Sequence, residues 1–126
     1  MALSEQDVSV IGLILNTWGG FHKTRRRHGL YIGHCYVLLS CVWLESLNRP
    51  ISEGSVRALT YMFRGDKLHY LFTFLQSKGF IVLARQSETG RYKYYSLTEL
   101  GRNTAIDLLN GIEAKQTEFF NRHLSK

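Results

Sequence analysis

The stretch Asp66–Arg102, DKLHYLFTFLQSKGFIVLARQSETGRYKYYSLTELGR, decides the fold. Its first part has apolar side chains every three or four residues, which predicts a helix from Asp66 to Lys78 with Asp66 as its cap and a buried stripe of Leu68, Leu71, Phe72 and Leu75. Gly79 follows directly, as is typical of the left-handed residue after a helix C-terminus. Two strands are predicted at Phe80–Ala84 and Tyr92–Leu97, and the turn residues Ser87–Gly90 separate them. Thr98 can cap the helix that follows.

Upstream of this stretch, apolar periodicity predicts three more helices. A short one follows Ser52 as its N-cap and ends near Met62. A longer one runs from about Ile32 to Leu47 and is predicted to be central and mostly buried through a stripe of Tyr36, Leu39, Val42, Trp43 and Leu47, widened by Val37 and Leu38. The first helix opens with a capping box of Ser4 and Asp7 and runs to Phe21 or on to Arg27.

The order of these elements predicts the fold class. Two helices joined by a few residues and followed by a hairpin form a winged helix-turn-helix, so we expect a mainly α protein with a small β-hairpin. We expect residues 1–126 to form a single domain, in which 30–102 are a winged-helix DNA-binding lobe and 1–28 and 103–126 are a helical dimerisation region.

Composition narrows the functional classes. The chain has 126 residues, 44% of them hydrophobic, which excludes a disordered protein. Its longest apolar run, Tyr36–Leu44, is shorter than the ~20 residues that a membrane helix needs. Its acidic start is unlike a secretory signal, so we expect a cytoplasmic protein. The net charge of +6 favours a polyanionic partner, with nucleic acid first and an anionic membrane second.

Several motifs resemble the MarR-type winged-helix transcription regulators. The segment Ser96–Arg102 is close to that family's S-L-T-x-x-G-R, the pair Lys78-Gly79 closes the recognition helix as in that family, and Gly29-Leu30 with Cys35–Leu39 resembles its loop into the second helix. The wing segment Gly90–Tyr95 also resembles PadR-type regulators, so the subfamily stays open. Two features depart from the MarR pattern: Thr89 stands where an aspartate is usual, and Val82-Leu83-Ala84 is apolar where charges are common.

The resemblance implies a homodimeric, sequence-specific DNA-binding regulator that acts as a repressor. Its recognition helix would enter the major groove and its wing the minor groove of double-stranded DNA. MarR-type regulators often bind a small aromatic effector between the dimerisation helices and the DNA-binding lobe. Trp18, His22, Arg26 and Tyr36 could line such a cleft, but plain core packing is the favoured interpretation of these side chains, so we predict no effector residues.

The candidate DNA contacts lie on the predicted recognition helix and wing. Polar side chains outside the apolar stripe can reach phosphates or base edges, and arginines suit the narrow minor groove. The predicted set is Arg64, Asp66, Lys67, His69, Tyr70, Thr73, Arg85, Arg91 and Lys93. The basic run Lys23–His28 could instead touch DNA flanks or stabilise the end of the first helix.

Apolar residues beyond the compact lobe predict the dimer interface. One lobe cannot easily cover both terminal helices, and exposed apolar patches of that size usually mark an interface. The predicted set is Val10, Ile14, Trp18, Leu109, Ile112, Phe119, Phe120 and Leu124.

The sequence shows no catalytic or metal-binding motif. The five histidines have no zinc-ligand spacing, and no nucleophile elbow, Walker loop or paired carboxylate is present, so we expect no enzyme, no metal and no cofactor. Cys35 and Cys41 lie on different faces of one helix, which excludes a disulfide between them and favours buried thiols. The alternative functions are a winged-helix protein-interaction module and a mobile-element DNA-binding accessory factor without ligand control.

Overall fold

A computed structural model of the chain describes residues 4–60 and 66–123, and their side chains except those of 16, 60, 113–120, 122 and 123. It confirms a mainly α protein with one β-hairpin. The helices are α1 (Glu5–Arg27), α2 (Ile32–Ser46), α3 (Glu53–Thr60), α4 (Lys67–Ser77) and α5 (Glu99–His123), and the strands are β1 (Ile81–Gln86) and β2 (Lys93–Leu97).

The chain divides into two compact units. One is Tyr31–Ala105, which contains α2, α3, α4 and the hairpin. The other consists of Met1–Leu30 and Ile106–Lys126, and its described part contains α1 and most of α5.

The core of the Tyr31–Ala105 unit contains the predicted apolar stripe of α4. Leu68, Phe72 and Leu75 are fully buried and Leu71 nearly so. The Phe72 ring lies 5.2 Å from the ring of Tyr95 on β2, which joins the helix to the hairpin. Ser52 is the N-cap of α3, as predicted, because its Oγ accepts a hydrogen bond from the Ser55 amide at 3.1 Å.

One helix prediction in this unit is wrong in part and another is wrong. Of the predicted α2 stripe, Val37 and Leu38 are buried, but Tyr36, Trp43 and Leu47 are exposed. The buried face is centred away from Tyr36 and also carries Cys35 and Cys41. Both faces are apolar, so periodicity could not choose between them, and the face of compact side chains packs inward. Asp66 occupies the N-cap position of α4, but its side chain makes no capping hydrogen bond because its φ of −81° and ψ of −6° are helical.

The hairpin is antiparallel and irregular. Ile81 pairs with Leu97, and a bulge between Leu83 and Arg85 shifts the register so that Arg85 pairs with Tyr94. Ile51, which lies before α3, forms an isolated bridge with Tyr95 through an amide-to-carbonyl bond of 2.9 Å. This bridge is absent from the sequence prediction, since a single paired residue has no periodic pattern.

The S-L-T-x-x-G-R motif joins the hairpin to α5. The Thr98 hydroxyl lies 2.6 Å from the Gly79 carbonyl oxygen and accepts a hydrogen bond from the Gly101 amide at 3.0 Å. A Cβ atom at Gly101 would overlap the Phe80 carbonyl oxygen, so glycine is required there. Arg102 donates two hydrogen bonds of 2.9 Å to the Glu45 carboxylate, in the bidentate geometry that guanidinium favours.

In the other unit, the capping box of α1 is confirmed by two hydrogen bonds of 3.1 Å between Ser4 and Asp7. The end of α1 bonds mainly to its own unit. Arg27 and His28 each lie 2.6 Å from the Asp107 carboxylate, and these hydrogen bonds lower the pKa of Asp107. Arg25 donates to the Leu30 carbonyl oxygen at 3.0 Å. These contacts support the structural interpretation of the basic run.

The buried His34 ring should make the Tyr31–Ala105 unit less stable at low pH. Its ring is buried, stacks 3.8 Å from the Phe74 ring, and accepts a hydrogen bond from the Tyr31 amide at 3.1 Å. Burial lowers the pKa of His34, so the fold favours the neutral ring. The neutral His34 ring therefore stabilises the fold at pH values above the unfolded-state pKa of about 6.5, and this stabilisation is lost as the pH falls below that value.

We therefore expect the urea midpoint of the wild-type protein to fall as the pH is lowered from about 7.5 to about 5.5, and to fall less in the His34→Gln variant. Comparison with the variant isolates His34 from the other histidines. Equal acid dependence of the two midpoints would contradict this role.

Candidate nucleic-acid interface

The exposed face of α4 carries the polar side chains predicted to contact DNA. Lys67, His69, Tyr70 and Thr73 are all exposed, opposite the buried stripe, and Tyr70 is 68% exposed. The Thr73 hydroxyl donates to the His69 carbonyl oxygen at 2.9 Å. Asp66 is exposed just before the helix, and Arg64 lies outside the described residues. A helix that presents such a face can read base edges in a major groove.

The turn of the hairpin is held by its own hydrogen bonds. The Ser87 amide donates to the Tyr92 carbonyl oxygen at 2.9 Å, and the Tyr92 amide donates to the Ser87 hydroxyl at 3.1 Å. Gly90 has a φ of 73°, which favours glycine at this position. Thr89, which departs from the MarR pattern, accepts a hydrogen bond from the Arg91 amide at 3.4 Å. The turn therefore presents Arg91 on an ordered backbone.

The basic side chains of the hairpin stack on its tyrosines. The Arg91 guanidinium lies 5.6 Å from the centre of the Tyr92 ring, and that of Arg85 lies 4.5 Å from the centre of the Tyr94 ring. Such cation–π contacts restrict a long side chain while leaving its charge available. Lys93 is also exposed.

A cleft of about 730 Å³ lies between the start of α3, His69 and the hairpin. It brings together three of the predicted contacts, His69, Arg91 and Lys93. Arg85 instead lines a separate depression that also includes Arg49 and Ala84. Lys67, Tyr70 and Thr73 lie on the exposed face of α4 but do not line the cleft.

The cleft is predominantly positive. Three cations, Arg57, Arg91 and Lys93, line it, and Glu53 is the one acid among its described lining residues. Nδ1 of His69 lies 2.8 Å from a carboxylate oxygen of Glu53. Three of the lining residues, Arg57, Tyr92 and Tyr94, were not predicted from the sequence. Arg57 could have been predicted only from knowledge of how α3 packs beside the wing.

The described residues contain no group of histidine, cysteine and acidic side chains able to hold a metal ion. Cys35 and Cys41 are both buried, and burial together with Glu45 raises the pKa of the Cys41 thiol to about 12. A thiol of that kind is not a reactive thiolate at neutral pH. No described helix has the length and apolarity required to cross a membrane.

Comparison with known proteins gives the fold. No protein-family model and no curated protein sequence matches the chain. Among solved structures, it is similar to a variant of MepR from a multidrug-resistant S. aureus clinical isolate, with 10% identity, a TM-score of 0.73 and coverage of 97% of this chain and 85% of that one. It is similar to the YusO protein of Bacillus subtilis, with 14% identity, a TM-score of 0.74 and coverage of 94% and 80%.

A third similar structure belongs to a protein described as a member of the MarR family. It is a MarR-family transcriptional regulator from Rhodococcus sp., with 20% identity, a TM-score of 0.63 and coverage of 85% of this chain and 73% of that one. The chain has the MarR-type winged-helix fold. In this MarR-type fold, α4 takes the position predicted for the recognition helix, and β1 and β2 form the hairpin predicted as the wing.

The similarity extends well beyond the winged helix itself. Coverage of 97% and 94% of the chain includes most of the residues before Ile51. The prediction of a MarR-type winged-helix protein is therefore confirmed at the level of fold.

Proposed function

We propose that this MarR-type protein is a sequence-specific DNA-binding transcription regulator that acts as a homodimer and a repressor. One observation carries the proposal: the exposed polar face of α4 and a cleft lined by three cations lie in the same compact unit, around the recognition helix and wing. The structural neighbours described as transcriptional regulators support it.

The dimensions of α4 suit a major groove. A helix with its side chains is about 10–12 Å across, and the major groove of B-DNA is about 12 Å wide. Lys67 at the start of α4 would contact a phosphate or a guanine, and Tyr70 would contact a thymine methyl group or a phosphate. Arg91 on the ordered turn would enter the adjacent minor groove, where a narrow A-tract concentrates negative potential.

The homodimer is supported by apolar side chains that are exposed in the single chain. Val10, Ile14 and Trp18 on α1 are 48%, 56% and 51% exposed, and Leu109 on α5 is also exposed. Ile112 is half-buried, whereas the side chains of Phe119, Phe120 and Leu124 lie outside the described residues. Two recognition helices related by a two-fold axis would read half-sites about 34–36 Å apart.

The contact residues are tested by the salt dependence of DNA binding. We expect Arg91→Ala to weaken binding about tenfold. The negative slope of log K against log salt should become shallower by roughly one, because one phosphate is no longer neutralised. Lys67→Ala should weaken binding by a similar factor.

Lys78→Ala is the matched control. This lysine is exposed, but it lies about 16 Å along the helix axis from Lys67, at about 1.5 Å per residue, and its ammonium group lies 5.9 Å from the Phe74 ring. We expect its removal to change neither affinity nor slope. Wild-type affinity and slope in both test variants would contradict the docking of α4 and the wing.

One observation favours a second candidate, a protein-interaction module. An apolar groove of about 270 Å³ lies between α2 and α3, and it is lined by Tyr36, Leu39, Ser40, Trp43 and Leu59. Such grooves can receive apolar side chains of a protein partner. DNA binding that weakens steeply with salt supports the regulator, and its absence for every duplex would favour the module.

A further inference from the structure

The Glu53–His69 pair places a titratable ring at the proposed DNA surface. His69 lies on the recognition helix with its side chain 57% exposed, and Glu53 lies on α3 with 28% exposed. Nδ1 of His69 and Oε1 of Glu53 are 2.8 Å apart. The pair lines the cleft whose other described charged residues are Arg57, Arg91 and Lys93.

Hydrogen-bond chemistry restricts what this histidine can do. An ionised carboxylate only accepts hydrogen bonds, so Nδ1 must carry the proton that Glu53 receives. In a neutral ring Nε2 is then an acceptor. Phosphate oxygens and the guanine O6 and N7 atoms are also acceptors, so a neutral His69 bonded to Glu53 has no proton for them.

The charge of the cleft adds a second reason. Glu53 is the only described acid there, and DNA would bring further negative charge towards it. A protonated His69 would place one cation between the Glu53 carboxylate and the nucleic acid. Both ring nitrogens would then donate, Nδ1–H to Glu53 and Nε2–H to the DNA.

We propose that DNA binding takes up one proton at His69, which bridges Glu53 and an acceptor on the DNA as an imidazolium ion. This inference rests on the proposed DNA-binding function. The proton comes from solvent, and no bond other than N–H is formed. Affinity for DNA is therefore higher at low pH, and a sequence that presents an acceptor to His69 is favoured over one that presents a donor.

Other groups near the pair cannot mimic this titration. The cations are Arg57 on α3 and Arg91 and Lys93 on the wing, and such side chains keep their charge between about pH 6 and about pH 8.5. The neighbouring phenols are those of Tyr70, Tyr92 and Tyr94. Burial and the Glu53 carboxylate together raise the pKa of Tyr95, so this phenol also stays neutral.

The test measures the dissociation constant of a duplex of about 30 base pairs, selected from a random pool, between about pH 6 and about pH 8.5 at constant ionic strength. For the wild-type protein we expect Kd to rise with pH, with a slope approaching but not exceeding about tenfold per pH unit for one proton. His69→Gln should bind several-fold more weakly at the lowest pH and show a much flatter profile.

Two further variants make the interpretation specific. In Glu53→Gln the new amide can donate to Nδ1, so that a neutral ring keeps Nε2–H for the DNA; we expect a flat profile and, at the highest pH, binding at least as tight as wild type. His28→Gln removes the comparable histidine–carboxylate pair with Asp107, in the other unit, and should keep the wild-type slope.

The outcomes separate the two proposals. Salt-dependent DNA binding with the same pH slope in wild type, His69→Gln and Glu53→Gln would overturn the proton-uptake proposal and leave the DNA-binding function standing. No binding to any duplex at any pH would overturn both. Retention of the slope only when Glu53 and His69 are both present supports proton uptake.

Discussion

Replacing Gly101 by alanine should lower the melting temperature by about 10 °C or more, since each kcal/mol lost shifts it by about 4 °C in a domain of this size. The added Cβ atom would overlap the carbonyl oxygen of Phe80, which is backbone and cannot rotate away. That oxygen accepts the Thr98 amide at 3.1 Å and lies 3.0 Å from the Thr98 hydroxyl, so its displacement also disturbs the cap of α5. Overpacking of this kind costs about 1–3 kcal/mol or more, and lost cap interactions add about 1 kcal/mol.

Gly54→Ala is the matched control for that experiment. Gly54 lies in α3 of the same unit, and an added Cβ would meet only the Ser52 hydroxyl, at an ordinary distance of 3.8 Å. We expect no loss of stability there, and a gain of up to about 1 kcal/mol, because alanine favours helix more than glycine does. A melting temperature for Gly101→Ala within a few degrees of wild type, measured by circular dichroism, would contradict the requirement for glycine beside the Phe80 carbonyl oxygen.

Deleting the residues after Gly111 should give protein that is aggregated or unfolded. Gly111 lies where α5 closely approaches α1, since an added Cβ would lie 2.5 Å from the Thr24 hydroxyl oxygen and 3.3 Å from the Gly20 carbonyl oxygen. The deletion removes Ile112 and the apolar residues beyond it, while Ile14 and Trp18 stay exposed. If these surfaces form an obligate interface, they bury on the order of 2,000 Å² or more in the homodimer.

Sedimentation at micromolar concentration measures this directly. We expect a dimeric mass for the full chain. Ile14→Lys should shift the mass towards monomer or aggregate, since it places a charge among exposed apolar side chains, whereas Gln6→Lys at an exposed polar site of the same helix should leave the mass unchanged. A monomeric full chain, or a well-folded monomer after the deletion, would refute the proposed interface.

The proposed DNA surface could be predicted from the sequence only in part. Periodicity was sufficient to put Lys67, Tyr70 and Thr73 on the exposed face of α4, because a buried stripe defines the opposite face of its own helix. It could not show that Arg57 lies in the cleft with Arg91 and Lys93, since that proximity depends on how α3 packs beside the wing. Nor could it separate Arg85 from this group, because the bulge before Arg85 changes the register of β1.

The sequence by itself determined the features that arise from short-range physics. The helical stripe Leu68–Leu75, the turn Ser87–Gly90 and the cap at Thr98 all depend on residues within a few positions of one another. Only the tertiary structure decided which apolar face of α2 is buried and which distant charges meet. Arg102 reaches Glu45 across 57 positions, His28 reaches Asp107 across 79, and His69 reaches Glu53 across 16. Local periodicity defines the faces of a helix, whereas the packing of whole elements decides what each face contacts.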